Sequence, residues 1–235
     1  MHPLDHPVRA SLFSEQAHLA RGDALARRFQ PDVHLFAATR DDSESAGLAL
    51  ARLLEPGERV TLMRTGQPNL PDNLSVLSQR PAVLLLATTA IAAGDTRQAI
   101  VALSGSDADA MQSLAELTRP GPFARNTWEM GQFFGVRIDG RLAAMAGVRL
   151  QSPGFVEVSG VCTHPDFRGR GLATNLSRHV AAQVQARGLT PFLHAWHDNA
   201  AAIALYQHLG FHYRAELLVT VVERPQINVG PAPKR

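Results

Sequence analysis

The chain has 235 residues, 45% of them hydrophobic and 19% charged, an ordinary globular mixture long enough for one large domain or two small ones. Its net charge is only +2, with 22 arginines and the single Lys234 spread along the chain, so there is no basic stripe of the kind that tracks nucleic acid. One cysteine, Cys162, excludes an internal disulfide and a cysteine-built zinc cage and fits a reducing compartment.

The first six residues lack the charged and apolar segments of a secretory signal, and the longest apolar stretch, residues 82–93, is broken by threonines and too short to span a bilayer. A cytoplasmic protein without a membrane partner is therefore expected. Apolar spacing predicts a helix over residues 8–20 and another over 45–55, stopped by Pro56 and Gly57. Strand-like runs follow at 60–64, 83–87 and 100–103, with a turn-rich stretch at 66–73. This half holds no catalytic motif, and a boundary is expected near residue 104. Beyond it, Ser106 or Asp107 caps a helix carrying Met111, Leu114 and Leu117, which Pro120-Gly121-Pro122 ends. Strands at 133–138 and 142–150 flank Asp139-Gly140, a dipeptide that favours a tight hairpin. After the turn Ser152-Pro153-Gly154 come a strand at 155–163, a helix at 171–187 stopped by Gly188, a strand at 192–196, a helix at 199–209 and a strand at 211–222. A hairpin followed by strand, helix, strand, helix and strand gives a mixed α/β sheet with helices on its faces. The Pro- and Gly-containing tail, residues 225–235, is expected to be disordered.

Arg168-Gly169-Arg170-Gly171-Leu172-Ala173-Thr174 joins the strand at 155–163 to a helical pattern of Leu172, Leu176, Val180 and Val184. Glycines let backbone approach a ligand, and the first helical turn aims unpaired N–H groups and the positive dipole end at an anion. Arg168 and Arg170 add charge-assisted donors. The plain alternative is an ordinary strand-to-helix turn. Downstream, Asn199-Ala-Ala-Ala-Ile-Ala-Leu-Tyr-Gln-His-Leu-Gly-Phe211 places Asn199, Ala202 and Tyr206 on one face of a helix stopped by Gly210.

These two linked motifs resemble those of the GNAT superfamily of N-acetyltransferases, whose Arg/Gln-x-x-Gly-x-Gly/Ala loop corresponds here to Arg168, Gly171 and Ala173. The likeness covers about residues 105–222, and the wording Val-Cys-Thr-His-Pro-Asp-Phe-Arg-Gly-Arg-Gly resembles the branch akin to glycine N-acyltransferases. In that branch an amino-terminal domain looks like a degenerate copy of the catalytic fold. Residues 1–104 are open to that reading by analogy alone, beside a catalytic domain at 105–224. The resemblance implies acetyl-CoA or coenzyme A as donor, no metal, and a pantetheine arm lying between splayed fourth and fifth strands along the backbone of Val161, Cys162 and Thr163. It further implies a pyrophosphate on residues 168–174, Asn199 holding the pantetheine amides and Tyr206 as proton donor to the thiolate. A tyrosine on an apolar helix is otherwise a core residue with its hydroxyl at the rim.

A carboxylate on the fourth strand serves as base in several members of the family, and here that is Glu157. Strand alternation puts it on one face with Ser159 and Val161, and away from Cys162. In an apolar strand its pKa should be raised, which suits a base near neutral pH; the alternative is a glutamate facing solvent. His194 and His197, with Asp198 and His164, make a poor chelate, since positions three apart on a strand point to opposite faces. Cys162 reads as a packed small hydrophobe. The expected activity is transfer of an acetyl group to a primary amine of a small molecule or peptide. Its rivals are a non-catalytic acyl-CoA sensor and an O-acyl or longer-chain acyltransferase. The acceptor and the oligomeric state have no signature in the sequence.

Overall fold

The computed structural model describes residues 2–92 and 98–226, so most of the tail expected to be disordered lies outside the described residues. A small antiparallel sheet of β1 (Ala20–Gly22), β2 (Ala26–Phe29) and β3 (Ala37–Thr39) follows a short first helix, α1 (Pro7–Leu12). The helix expected over 8–20 ends at Leu12, because the chain then turns through Phe13 to Leu19 to feed β1. α2 (Glu44–Arg52) begins where the Ser43 side chain accepts the Ala46 amide, the usual way a serine satisfies an orphan donor.

The remaining strands form one eight-stranded sheet. They are β4 (Arg59–Arg64), β5 (Ser75–Leu86), β6 (Ile100–Leu103), β7 (Phe133–Ile138), β8 (Arg141–Ser152), β9 (Phe155–Thr163), β10 (Thr190–Trp196) and β11 (His212–Glu223). Their order is β4-β11-β5-β10-β9-β8-β7-β6, and β9 with β10 is the one parallel strand pair among the described residues. The sheet is therefore mixed, as expected. Asp139 at φ 50° and Gly140 at φ 76° make the β7–β8 turn, the double positive φ that matches the twist of a two-residue hairpin. The expected boundary near residue 104 does not interrupt the sheet. β5 lies between β10 and β11, and each residue from Ala82 to Leu86 is paired on both sides, Ala82 with Trp196 and Leu217. β11, read as the closing strand, is an inner one.

Three further helices complete the fold: α3 (Ala108–Thr118), α4 (Leu172–Ala186) and α5 (Ala200–His208). Leu172, Leu176, Val180 and Val184 of α4 recur at helical spacing and pack on Val156, Val158, Leu85 and Leu193. Their sheet neighbours Leu84 and Phe192 point the other way, onto Leu4, Val8, Leu12, Phe29 and Phe36. The amino-terminal half thus covers the sheet face opposite α4. Each fully buried Leu or Val in these layers contributes about 1.5–3 kcal/mol. No described helix is long and apolar enough to cross a membrane.

β9 carries one irregularity that matters below. Pairing with β8 shifts between Met145–Cys162 and Gly147–Ser159, and Gly160 there has φ 63°. This bulge resets the alternation. Val161 consequently joins Val156 and Val158 on the α4 side, while Cys162 packs with Met111 and Leu114 beneath α3. The expectation that Glu157 and Val161 share a face, with Cys162 opposed, is overturned by that extra residue.

Candidate active site

A cavity of about 400 Å³ opens where β9 meets α4, walled by Thr118, Pro120, Val161, Cys162, Thr163 and the loop 167–174. Gly169 at φ 75° and Gly171 at φ 72° hold backbone that L side chains rarely adopt, and nothing lies within 4 Å of where a Cβ would stand on either. The glycines are therefore demanded by conformation and leave open space in front of the loop. Gly171 is the N-cap of the 15-residue α4 and offers no side chain to its first-turn amides, which remain available to an anion. Arg168 and Arg170 are both exposed beside it, and the Arg170 guanidinium lies 5.3 Å from the centre of the Phe167 ring. The loop 168–174 thus supplies amides, a helix dipole and two cations on one side of the cavity, the donor set that suits a pyrophosphate.

β9 and β10 run parallel through only Thr190–Phe155, Pro191–Val156 and Phe192–Glu157. Beyond Glu157 they separate, and a second cavity of about 210 Å³ fills the gap, walled among others by Phe36, Arg149, Ser159, Val161, His194, Trp196 and Tyr206. The two cavities share Pro120 and Val161 as walls. The backbone of Cys162 and Thr163 pairs with β8 on one side, and Val161, Cys162 and Thr163 have no pairing with β10 on the other.

Glu157 is neither solvent-facing nor raised in pKa. It is fully buried, with Arg149 Nε donating to Oε2 and Nη2 to Oε1, both at 2.9 Å, and His194 Nδ1 at 2.6 Å from Oε1. Burial alone would push the carboxyl up, but the charges and hydrogen bonds of Arg149 and His194 outweigh it and hold Glu157 well below the usual carboxylate range. Desolvation was the expected cause; the partners reverse its sign. Arg149, Glu157 and His194 stand on three neighbouring strands, β8, β9 and β10. The segment between β2 and β3 covers them: Phe36 lies 5.1 Å from the Arg149 guanidinium, and His34, ring to ring with Phe36 at 4.1 Å, is buried and pushed down to about 3 by burial and by Arg149. Sequence reading missed Arg149 and took His194 only as a metal candidate. One signal was present: Arg149 and Glu157 each interrupt an apolar run on the two strands of one hairpin, where opposite charges can meet.

Tyr206 lines the second cavity from α5 and packs edge-on to Phe211 at 6.2 Å. Burial pushes its phenol up to about 12, so it carries its proton at neutral pH. Asn199 is exposed and caps α5, its Oδ1 accepting from the Ala202 amide at 3.1 Å. Ala202 is half-buried against the α4 layer. Of the face expected to hold a ligand, Tyr206 reaches the cavity, and Asn199 keeps its Nδ2 donors to offer. Burial pushes the Cys162 thiol up to about 11, which makes it a poor nucleophile.

Residues 106–211 match the model of the acetyltransferase (GNAT) family. The whole chain is similar to a crystal structure of a GNAT-family protein from Novosphingobium aromaticivorans, at 41% identity and a TM-score of 0.89, covering 96% of this chain and 100% of that one. A GCN5-related N-acetyltransferase from Kribbella flavida shares the fold, with a TM-score of 0.66 at 17% identity over 96% of this chain and 97% of that one. Among curated proteins, the ribosomal protein bS18-alanine N-acetyltransferase of Escherichia coli K12 is 33% identical over 91 residues, 38% of this chain and 61% of that protein. Its Salmonella typhimurium counterpart is 43% identical over 53 residues, 22% of this chain and 36% of that protein. The chain thus spans less than two thirds of the length of these curated relatives.

Proposed function

Because the chain belongs to the GNAT family of acetyltransferases, we propose that it is an acetyl-CoA-dependent N-acetyltransferase that passes the acetyl group directly to a primary amine of a small molecule or peptide. The observation that carries this reading is the adjacency of two cavities, one faced by the uncapped α4 terminus and the other by Tyr206, across the shared walls Pro120 and Val161. Coenzyme A supplies an activated thioester. The amides of residues 169–174, with Arg168 and Arg170, hold its pyrophosphate. The free backbone edge of Val161, Cys162 and Thr163 takes the pantetheine arm in strand fashion and directs an N–H at the thioester carbonyl. Asn199 Nδ2 reaches the same arm. Tyr206 donates a proton to the departing sulfur.

A non-catalytic sensor would be favoured by a Glu157 turned to solvent and a Tyr206 away from the cleft, and neither holds. The 210 Å³ cavity favours a short acyl group with a slim acceptor over a long acyl chain. For the acceptor, the named relatives point to an amino-terminal alanine, and the motif wording points to the branch akin to glycine N-acyltransferases; free glycine and an alanine-initiated peptide are the first two amines to offer. Residues 1–104 contribute a cover and strands to the site, with or without descent from a copy of the catalytic fold. A cytoplasmic location goes with this reading.

The test is calorimetric titration with acetyl-CoA, followed by thiol release in the presence of amino acids, polyamines, aminoglycosides and alanine-initiated peptides. Binding with turnover of one amine class is the expected result. Binding without turnover or hydrolysis favours the sensor, and absence of binding refutes the proposal.

A further inference from the structure

We infer that His194 is the general base of this site and that Glu157 is the buried residue that positions it. The inference rests on the acetyl-transfer reading above and names a residue on β10 where the fourth-strand glutamate was the expected candidate.

Glu157 itself is unsuited to take a proton. It is fully buried, both oxygens are engaged by Arg149, and the Leu150 amide adds a further contact at 3.3 Å. His194 stands between this carboxylate and the cavity. Its Nδ1 lies 2.6 Å from Glu157 Oε1, while its ring, 15% exposed, forms part of the cavity wall together with Tyr206. A carboxylate on Nδ1 fixes the tautomer with its proton there and leaves the Nε2 lone pair as the ring's basic site. Arg149 Nη2 is 3.3 Å from Nε2 and 3.4 Å from Nδ1. With the proton on Nδ1, the Arg149 N–H leans on Nε2, a longer contact than its 2.9 Å bond to Glu157 Oε1 and one that an entering ammonium displaces. The row Arg149, Glu157, His194 therefore orients an imidazole whose ring lines the cleft.

In the reaction, Nε2 removes one proton from the acceptor ammonium. The amine nitrogen then bonds to the acetyl carbon as the carbon–sulfur bond breaks, and Tyr206 protonates the sulfur. The second nitrogen proton returns to the Tyr206 oxygen, and the imidazolium releases its proton to solvent. The balance is one ammonium and one thioester converted to one amide, one thiol and one proton.

The groups facing His194 are Arg149 from β8, Glu157 from β9, Tyr206 from α5 and His34 from the covering segment, which stays neutral above about pH 3. The test measures thiol release across pH for the full-length parent, His194→Gln, His194→Ala with and without added imidazole, and Glu157→Gln. The acceptor is the best amine from the panel, or water if none is used, since hydrolysis of acetyl-CoA needs the same base. His194→Gln should lose about 100- to 10,000-fold in kcat, with acetyl-CoA affinity unchanged and the acidic limb of the kcat/KM profile gone. Imidazole should restore part of the rate to His194→Ala, and Glu157→Gln should lower kcat while keeping an acidic limb displaced in pH. An active parent whose His194→Gln variant binds acetyl-CoA and turns over within a few-fold, with its acidic limb intact, overturns the inference and leaves the transferase reading standing. A parent that binds acetyl-CoA but neither transfers nor hydrolyses overturns both.

Discussion

Replacing Arg149 with methionine keeps the volume of the stem and removes the charge that balances Glu157. The side chains of Arg149 and Glu157 are 8% and 1% exposed, so solvent screens the loss poorly. Removing one partner of a buried pair costs about 3–5 kcal/mol, and because His194 still holds Oε1 the lower end applies, about 3 kcal/mol. For a chain of this length each kcal/mol moves Tm by about 2–4 °C, so a fall of about 6–12 °C is expected. The companion variant Arg149→Met with Glu157→Leu removes both charges and should recover most of that loss, because an apolar pair of similar volume avoids the desolvation of two ions. Scanning calorimetry at neutral pH on the parent, the two single variants and the double closes the cycle. A single Arg149→Met variant that melts within about 2 °C of the parent, or a double variant less stable than both singles, would refute the view that an uncompensated buried carboxylate sets the cost.

Tyr206→Phe keeps the ring against Phe211 and removes only the proton; kcat should fall about 100- to 10,000-fold, with Tm and acetyl-CoA affinity nearly unchanged. Gly171→Val forces a β-branched residue to φ 72°, which costs about 1–2 kcal/mol from the left-handed conformation; calorimetric affinity for coenzyme A should drop at least tenfold while the far-ultraviolet spectrum persists. His34, pushed down to about 3 from 6.5, binds its proton in the unfolded chain long before the folded one does. Its contribution to stability is therefore complete above pH 6.5 and declines by about 1.4 kcal/mol per pH unit on acidification towards pH 3. Urea melts between pH 7 and 4 should show a shallower decline in His34→Phe.

The elements after residue 104 were legible because their signals are local. Asp139-Gly140 sets a turn, Gly188 and Gly210 stop helices, and the leucine and valine spacing of α4 declares its buried face. The glycine loop that starts α4 was legible for the same reason, being seven consecutive residues. What escaped was set by partners distant in the chain. β5 begins eight residues earlier than its apolar run because residues 75–82 are held by pairing with β11, across more than a hundred positions of sequence. The bulge at Gly160 turned the faces of Val161 and Cys162 over, an effect that one inserted residue has and that alternation alone does not foresee. Glu157 was picked out by the family likeness and its pKa direction by its apolar surroundings, yet its ionisation is governed by Arg149 eight residues before it and His194 thirty-seven after. Burial is written in a strand's composition; the identity of the counter-charge is written in topology.

The placement of β5 between β10 and β11 also dictates an order of events during synthesis. β5 leaves the ribosome with both hydrogen-bonding edges bare, and its pairing partners begin only at Thr190 and His212. At about 5–20 residues per second the strand waits roughly 5–25 s for them. Its first residues include the exposed apolar pair Val76 and Leu77, so the nascent chain carries an unpaired, partly apolar strand throughout that interval. The polar run Ser78, Gln79 and Arg80 follows directly, before Pro81, which has no amide proton to donate to a passing strand. In the finished protein those residues look like surface decoration. On the growing chain they guard an edge that has no mate until more than a hundred further residues have been made.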